Sequence, residues 1–283
     1  MNAQENINLA RAIEEQIPGE VITLIKHCGT AAEKRLQHLY LVGGAVRDLM
    51  LERVITDLDI VVEGDATKTA AEIARSLQAK LTTHPRFGTA TVKWSSRSVD
   101  LITARAETYS RPGALPKVHP GNIKDDLARR DFTINAMAIA LNPENYGELI
   151  DPFGGRTDLE AKAVRVLHEK SFTDDATRIW RAIRYEQRLD FNIEPVTLLL
   201  IERDLVMLKT VSGDRIRHEL ELALKEEAPE KALRRADELG VLEKLNPYLK
   251  ADGWLTEKFA EVWDTHETDN PDPYLYLALL CYR

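Results

Sequence analysis

Two aspartates at the start of an apolar segment have the side chains and spacing to hold metal ions. Asp57 and Asp59 flank Leu58, and the apolar run continues to Val62. If this run is a β-strand, residues two apart project from the same face, so both carboxylates can share Mg²⁺ ions. Asp100 heads a neighbouring candidate strand and can complete a two-metal site that activates a hydroxyl and neutralises a leaving pyrophosphate. Alone, such a pair is a weak signal, because many similar pairs cap helices or lie in solvent.

A glycine pair lies upstream of these aspartates, between a short apolar strand and a predicted helix. Gly43 and Gly44 would let backbone N–H groups approach a phosphate at the helix N-terminus. Arg47 would lie one turn into that helix and can pair with a triphosphate oxygen. For a lone glycine pair, an ordinary tight turn without a ligand is the favoured alternative.

A second charged segment offers groups for the same kind of ligand. It contains Arg129, Arg130, Asp131 and Asn135, followed by an apolar run. These side chains can contact a triphosphate and sugar hydroxyls. An N-capped helix with solvated charges explains the segment equally well when it is considered by itself.

The first half of the chain predicts a mixed α/β or α+β domain that ends near residue 155. Hydrophobic patterning and turn residues indicate its elements. They are a polar amphipathic helix over 1–27, strands over 39–42 and 58–62, helices over 45–51 and from the Asp65 cap to 78, hairpin arms over 89–94 and 99–104 joined by a turn over 95–98, and an exposed loop over 109–121.

From about Thr157 the pattern becomes helical and strand signals nearly vanish. Helical periodicity covers 159–163, 175–189, 195–207, 215–225, 229–239 and 274–283. The last pattern has no C-terminal cap or polar tail, so we expect the native protein to continue beyond it.

Composition limits the class of protein. No apolar run approaches a membrane span and no leader pattern is present, so a cytoplasmic protein without a membrane partner is expected. Cys28 and Cys281 suggest neither a disulfide framework nor a zinc site. The net charge of −8 means that any RNA-binding charge must be concentrated in patches.

Several motifs in one order resemble the class II tRNA nucleotidyltransferase/poly(A) polymerase family, part of the DNA polymerase β-type superfamily. They are the Gly43–Asp48 motif, the Asp57/Asp59 pair, the Arg129–Ala136 segment, and the segment from Asp151 to Leu159 that contains Asp-Pro-Phe-Gly-Gly. The resemblance covers about 39–224. It implies an α+β fold with a nucleotidyltransferase head over 1–155, then an all-helical neck over 156–218 and body over 219–283.

The resemblance also implies roles for the head residues. Asp57 and Asp59 would bind catalytic Mg²⁺, with Asp100 as a third carboxylate. The incoming triphosphate and sugar would be held by Gly43, Gly44, Arg47, Arg130, Asp131 and Asn135. The implied reaction adds CMP, AMP or both to the tRNA 3′ end from CTP and ATP.

One helix in the second half carries an Asp/Arg pair that can distinguish nucleobases. At 100° per residue, Arg178, Arg181, Arg184 and Arg188 fall within about 120° of one another. The opposite, core-facing side carries Ile179, Trp180 and Ile183, and Asp174 and Asp175 flank Arg178 on its own side. A carboxylate accepts from an exocyclic amine and a guanidinium donates to ring acceptors. Such a pair can therefore accept adenine and cytosine and reject guanine and uracil.

Spacing alone favours plain ion pairing on a solvated helix face. In the family, however, the corresponding Glu-Asp-x-x-Arg motif is an amino-acid template for the nucleobase. The matching readers are Asp175 and Arg178, and Asp174 replaces the family's Glu. The remaining arginines of the stripe are candidates for tRNA backbone or triphosphate contacts. Segment 211–220 resembles the family's last motif, for which we expect a scaffolding role with a capping Ser or Asp and an internal Arg–Glu pair.

The stretch 109–125 departs from the family's common bacterial form, in which a flexible loop with an Asp-Gly-Arg-Arg-Pro-like core is associated with switching from cytosine to adenine addition. Here the stretch contains Pro112, Gly113, Pro116, Pro120 and Gly121, which stiffen it and add turns. Full CCA addition, partial addition and poly(A) synthesis therefore stay open, with a preference for adenine addition to tRNA already ending in CC.

A catalytically inactive RNA- or nucleotide-binding module of the same fold is the alternative in another class. It predicts decayed carboxylates, whereas Asp57, Asp59 and the motif arginines are present. The helical neck argues against a protein-nucleotidylating enzyme, and no nucleophile-elbow or paired Cys/His pattern supports a hydrolase. The histidines are scattered, and we interpret them as ordinary surface or core residues.

Overall fold

The computed structural model describes residues 7–55, 58–94, 97–111, 113–114, 116–265 and 272–282. These residues form two compact units. The head unit comprises the chain up to Thr108 together with Lys117–Ala161, and the helical unit comprises Tyr109–Pro116 together with the chain from Lys162 onward. The first contains a mixed sheet and the second consists mainly of helices, which confirms the predicted α+β fold.

The head unit interleaves short helices with strands. Its helices are α1 (Ala10–Gln16), α2 (Gly19–Glu33), α3 (Gly44–Met50), α4 (Ala66–Ser76), α5 (Ile123–Ala128) and α6 (Gly155–Glu160). Its strands are β1 (His38–Val42), β2 (Asp59–Glu63), β3 (Lys80–His84), β4 (Thr89–Trp94), β5 (Arg97–Thr103), β6 (Arg105–Thr108), β7 (Lys117–Pro120), β8 (Ala138–Ala140) and β9 (Leu149–Ile150).

A seven-stranded mixed sheet organises the head unit. Its strand order is β3-β4-β5-β2-β1-β8-β9. The pair β2/β5 is parallel, whereas β1/β2, β1/β8 and the hairpin β4/β5 are antiparallel. The predicted hairpin is therefore confirmed, although part of its turn lies outside the described residues and Arg97 and Ser98 already belong to β5.

The central strands are continuously apolar because both of their faces are buried. Leu39, Leu41 and Val42 in β1 are fully buried, as is the run from Ile60 to Val62 in β2. Both strands lie within one residue of their predicted bounds. Helix α4 begins as predicted, because the Asp65 side chain accepts a hydrogen bond from the Lys68 backbone N–H.

The N-terminal segment contradicts the prediction of one helix over 1–27. It forms α1 and α2, which are separated at Ile17 and Pro18. Ile17 is extended, with φ −91° and ψ 135°. The reason is that proline disfavours helical conformation in the residue before it and has no N–H to continue the ladder.

The prediction of an exposed loop over 109–121 is wrong for its second part. Residues Lys117–Pro120 form β7, which pairs with β6 in an antiparallel ribbon. The proline is tolerated because it ends an edge strand, where a missing N–H costs little. Sequence patterning missed this ribbon because its pairing partner lies on the other side of an intervening segment.

The helical unit contains the remaining elements. Its helices are α7 (Ser171–Asp174), α8 (Thr177–Leu189), α9 (Pro195–Asp204), α10 (Gly213–Leu224), α11 (Pro229–Glu238), α12 (Val241–Leu245), α13 (Gly253–Thr265) and α14 (Pro273–Leu280). A parallel pair of short strands, β10 (Ala163–Val164) and β11 (Asn192–Ile193), interrupts the expected all-helical pattern.

Two boundaries in the structure differ from their predicted positions. The helix expected over 159–163 ends at Glu160, and Lys162 takes a positive φ of 51° before β10 begins. The compact units divide after Ala161 rather than near residue 155. The further division into neck and body at residue 218 stays a prediction. None of the described helices is long and apolar enough to span a bilayer.

Candidate active site

Two of the predicted metal-binding carboxylates are neighbours in the sheet. Asp59 opens β2 and lies in register with Asp100 on the parallel strand β5, so both side chains project from the same face. Asp100 is exposed and its Oδ1 accepts a hydrogen bond of 2.6 Å from Thr91 Oγ1. Asp57 lies outside the described residues. Within the described ranges, no group of three or more His, Cys, Asp or Glu side chains is placed to hold a metal ion.

These carboxylates have the donor chemistry that a hard divalent cation requires. Carboxylate oxygens are the ligands that Mg²⁺ takes from proteins, usually one or two per ion with substrate phosphates completing the shell. Asp59 and Asp100 supply two such side chains on one sheet face. The residues that the structure describes therefore fit a divalent metal.

The predicted glycine turn joins β1 directly to α3. Gly43 has φ +71°, a left-handed conformation that favours glycine. A Cβ at this position would lie 2.5 Å from Arg130 Nη1. The arginine thus packs against the turn where glycine leaves room, and the sheet brings together two motifs far apart in the sequence.

A buried hydrogen-bond network links α3, the helix that follows Gly43, to the segment that begins with Arg129, Arg130 and Asp131. Arg47 donates to both carboxylate oxygens of Asp48 at 2.9 Å and to Asn135 Oδ1 at 2.7 Å. The Asn135 amide in turn donates to Asp131 Oδ1 at 3.0 Å. Arg47, Asp131 and Asn135 are all nearly buried. The structure therefore joins these predicted site residues in one buried hydrogen-bond network.

Asp175 occupies a break between α7 and α8. It is extended, and its Oδ1 accepts hydrogen bonds from Thr177 N at 3.1 Å and Thr177 Oγ1 at 2.7 Å. Its Oδ2 accepts from Arg215 Nη2 at 2.6 Å. The helix predicted to begin at Asp175 therefore begins at Thr177, because the Asp175 side chain bonds the first turn from outside the helix.

The expected internal pair between Arg215 and Glu219 is wrong. Arg215 binds Asp175, and Glu219 Oε2 accepts from Arg184 Nη1 at 2.9 Å. Arg215 and Glu219 are four residues apart and share one face of α10. Each nevertheless pairs with a residue outside α10 rather than with the other. Ser212 does precede α10, but its side chain makes no capping hydrogen bond. Sequence reasoning missed Arg215 as a site residue, although the motif containing it was visible.

The arginine stripe of α8 is divided between different environments. Arg178 is 6% exposed, whereas Arg181 is half-buried and lies 5.8 Å from the Tyr185 ring centroid. Arg184 binds Glu219 and Glu226, and Arg188 also binds Glu226. The opposite face, with Ile179, Trp180 and Ile183, is fully buried as predicted. Arg184 and Arg188 thus serve as ion-pair partners in the protein rather than as open ligand groups.

Two further features near Asp175 are a histidine seven residues before it and a pocket lined by its partners Thr177 and Arg215. Desolvation and then the positive charge of Arg178 lower the pKa of His168, which favours its neutral form beside Arg178. A pocket of about 310 Å³ is lined by Thr177, Asp214, Arg215, His218 and Glu219. Asp174, the remaining predicted reader, ends α7 and is half-buried.

The segment Tyr109–Pro116 belongs to the helical unit. Gly113 has φ +69°, and a Cβ there would lie 2.4 Å from Thr210 Oγ1 and 2.8 Å from the Thr210 carbonyl oxygen. The contact therefore requires glycine. Pro112 and Leu115 lie outside the described residues, and the predicted stiffening by prolines stays a prediction.

Comparison with known proteins identifies the family. The Poly A polymerase head domain matches residues 39–165, and the probable RNA and SrmB-binding site of polymerase A matches residues 190–252. The chain is 41% identical over 243 residues to the A-adding tRNA nucleotidyltransferase of Halalkalibacterium halodurans, covering 84% of this chain and 57% of that protein. It is 48% identical over 190 residues to the A-adding tRNA nucleotidyltransferase of Aquifex aeolicus, and the match covers 66% of this chain and 23% of that protein.

Solved structures agree with this assignment. A CCA-adding enzyme in an apo form superposes with a TM-score of 0.90 at 38% identity, covering 98% of this chain and 68% of that one. Other matching proteins are named CC-adding tRNA nucleotidyltransferase and CCA-adding enzyme, and one is the Thermotoga maritima CCA-adding enzyme complexed with tRNA_CCA.

The chain therefore belongs to the class II tRNA nucleotidyltransferase/poly(A) polymerase family, whose members use a divalent metal ion. It spans 57% of the Halalkalibacterium relative and 23% of the Aquifex relative.

Proposed function

We propose that this chain transfers AMP from ATP to the 3′ end of tRNA that already ends in CC. The observation that carries the proposal is the in-register pair Asp59/Asp100 on β2 and β5, of which β2 lies next to β1, the strand that leads into the Gly43 turn. Carboxylates that bind a metal and a turn that receives phosphates are the two parts that nucleotidyl transfer requires.

In this proposal Mg²⁺ is the metal, and Asp57, Asp59 and Asp100 hold it. When bound, the metal lowers the pKa of the attacking 3′ hydroxyl and neutralises charge on the triphosphate. The hydroxyl oxygen loses its proton to solvent water and forms a bond to the α-phosphorus of ATP, the bond from that phosphorus to the bridging oxygen breaks, and pyrophosphate leaves with the electron pair.

The head residues orient the triphosphate. The groups we assign to the phosphates and sugar are Gly43, Gly44, Arg47, Arg130, Asp131 and Asn135. The chain of bonds from Asp48 through Arg47 and Asn135 to Asp131 supports this, because it fixes the polar groups before a ligand arrives. Preorganised donors stabilise developing charge without reorganisation at the moment of reaction.

Asp175 and Arg178 are the proposed readers of the nucleobase, with Asp174 and Arg181 beside them. A carboxylate and a guanidinium complement the amine and ring nitrogen shared by adenine and cytosine. Asp175 is held by Arg215 and Thr177, and Arg178 is nearly buried, so neither side chain is a freely moving surface group.

The preference for adenine rests on two observations. Relatives named A-adding tRNA nucleotidyltransferase match at 41% and 48% identity. Gly113 also lies close against Thr210 of the helical unit. A closely packed segment favours one pocket shape, whereas sequential addition of C and A needs a pocket that changes.

The test uses three transcripts of one tRNA, ending before CC, after CC and after CCA. Each is incubated with the protein, Mg²⁺ and one labelled NTP, and product lengths are determined on a sequencing gel. We expect a single AMP on the transcript ending in CC and no extension of the other two. An Asp59→Ala variant is the control for contaminating activity.

Other outcomes would replace the proposal by a defined alternative. Conversion of the shortest transcript to full CCA indicates a CCA-adding enzyme, and addition of two cytosines indicates a CC-adding enzyme. Long adenine tails indicate poly(A) polymerase. ATP binding without extension of any transcript indicates an inactive nucleotide-binding module.

We place this reaction in the cytoplasm. Cys28 is buried and Cys281 is exposed, and both are free thiols, which is consistent with a reducing compartment.

A further inference from the structure

One fully buried carboxylate in the head unit binds two consecutive arginines. Asp126, on α5, has no exposed surface. Its Oδ1 accepts from Arg129 Nε at 3.0 Å and Nη2 at 2.7 Å, and its Oδ2 accepts from Arg130 Nη2 at 3.0 Å. A buried carboxylate is costly unless it is paired and hydrogen-bonded, so this geometry fixes both guanidinium groups.

The two arginines differ in what else they bind. Arg129 Nη1 also donates to Glu107 Oε1 at 3.4 Å, and Glu107 accepts from Arg105 as well. For Arg130, within the part of the chain that the structure describes, Asp126 is the one hydrogen-bond partner. Arg129 is thus shared between Asp126 and Glu107, whereas Arg130 is held by Asp126.

Arg130 lies against the glycine turn. Its Nη1 occupies the space where a Cβ of Gly43 would be, 2.5 Å from that ideal position. Its Nε is buried without a hydrogen-bond partner. A buried donor without a partner is uncommon in a folded protein and is explained if a ligand completes it. A phosphate oxygen of a bound nucleotide would supply the missing acceptor.

We propose that Asp126 is a positioning residue for the triphosphate. By binding Nη2 of Arg130, it directs Nη1 of that guanidinium towards the Gly43 turn, where the proposed function puts the phosphates of the incoming nucleotide. This inference rests on the proposed function, because it assumes that Arg130 contacts phosphate.

The test measures affinity for inorganic tripolyphosphate with Mg²⁺ by calorimetry, so that neither nucleobase nor tRNA contributes. Asp126→Asn keeps the shape of the side chain and removes its charge. We expect about tenfold weaker binding, the effect of one lost, well-directed charge-assisted contact. The ratio of ATP to GTP incorporation should stay unchanged, because the proposed base readers belong to the helical unit.

Asp125→Asn is the matched control. Asp125 lies next to Asp126 on α5, but its side chain accepts from the Asn122 backbone and forms the capping box of the helix. It should bind tripolyphosphate like the unaltered chain. Because Asp126→Asn leaves two arginines without their anion, a second variant, Asp126→Asn with Arg129→Gln, restores the charge balance. It should keep the fold while retaining the tenfold loss.

A double-mutant cycle with Arg130→Gln tests whether Asp126 acts through Arg130 or independently of it. If Asp126 acts through Arg130, the double variant binds no more weakly than Arg130→Gln alone. Effects that multiply independently would overturn the positioning role while leaving Arg130 as a phosphate ligand. If Arg130→Gln itself leaves tripolyphosphate affinity unchanged, the assignment of Arg130 in the proposed function fails, and the role of Asp126 fails with it.

Discussion

The head unit and the helical unit hold their candidate site residues in different ways. In the head, several of the described residues that were named from local motifs lie beside one another, whereas Asp57 lies outside the described residues. Asp59 and Asp100 meet through strand register, and Arg47, Asn135 and Asp131 form one network. In the helical unit the arginine stripe of α8 is divided, because Arg184 and Arg188 are bound by carboxylates from later in the chain.

The difference follows from what each kind of element determines. A strand alternates its side chains with period two, and register with its neighbour then sets which residues are adjacent. A helix determines which residues share a face, but many partners can cover that face. Periodicity therefore predicts which residues of a helix lie together, and packing decides which of them remain available to a ligand.

The largest expected effect tests the head. Asp59→Ala should lower the rate of AMP transfer at least about a thousandfold, or ~4 kcal/mol, because it removes a proposed metal ligand. The thermal unfolding midpoint should change little, since Asp59 lies at the edge of the apolar run of β2 rather than within it. Single-turnover rates on tRNA ending in CC measure the effect. A variant that keeps a tenth of the activity would contradict the assignment of Asp59 as a metal ligand in the head unit.

The second prediction tests whether Arg184 serves the fold. Arg184→Ala leaves Glu219 without its partner, where the side chains of the two residues are 11% and 9% exposed. Breaking a buried ion pair from one side should lower the free energy of unfolding by about 3 kcal/mol. Urea unfolding measures this.

Arg217→Ala is the control for Arg184, because Arg217 is 66% exposed and pairs only loosely with its neighbours. It should change the free energy of unfolding by less than ~0.5 kcal/mol. If Arg184→Ala proved equally mild while nucleotide transfer failed, Arg184 would be a ligand-binding residue after all.

The third prediction concerns base choice. Arg178→Ala should weaken discrimination of ATP against GTP by about 2 kcal/mol, since it removes a donor to the base. Arg215→Ala should act in the same direction by a smaller amount, because Asp175 then loses one partner and keeps its bonds to Thr177. Misincorporation with all four NTPs is the measurement. A fall in rate at unchanged selectivity would assign Arg178 to phosphate or to structure.

The smallest effect is a local one in the head. Hydrogen bonds, the strongest from Thr67, lower the pKa of Asp65 from 3.8 to about 2. Because the folded-state pKa is depressed, the stabilisation is fully present above about pH 4 and is lost as the pH falls towards 2. Asp65→Ala should therefore cost about 1 kcal/mol at pH 7 and much less near pH 2, where about half of the folded molecules have Asp65 protonated. Urea unfolding of both proteins across this range measures it, and a difference that did not vary with pH would refute the cap.

Strand positions, the glycine turn, the Asp65 cap and the buried face of α8 could be predicted from the sequence alone. Each depends on residues close together in the chain, through side-chain period, backbone freedom or a bond to the next helical turn. The motifs also predict a nucleotide site with Gly43, Arg47 and Asp59 among its residues, and that assignment stays a prediction.

Tertiary structure alone decided which charges meet. Arg215 binds Asp175 rather than Glu219, β7 pairs across an intervening segment with β6, and Arg130 packs on Gly43. For each of these charged residues, several side chains of opposite charge are possible partners. The segment between two such residues can adopt many conformations, so sequence separation does not select the partner. Only the packing of the whole unit removes that freedom, because it fixes which elements approach closely enough for a hydrogen bond to form.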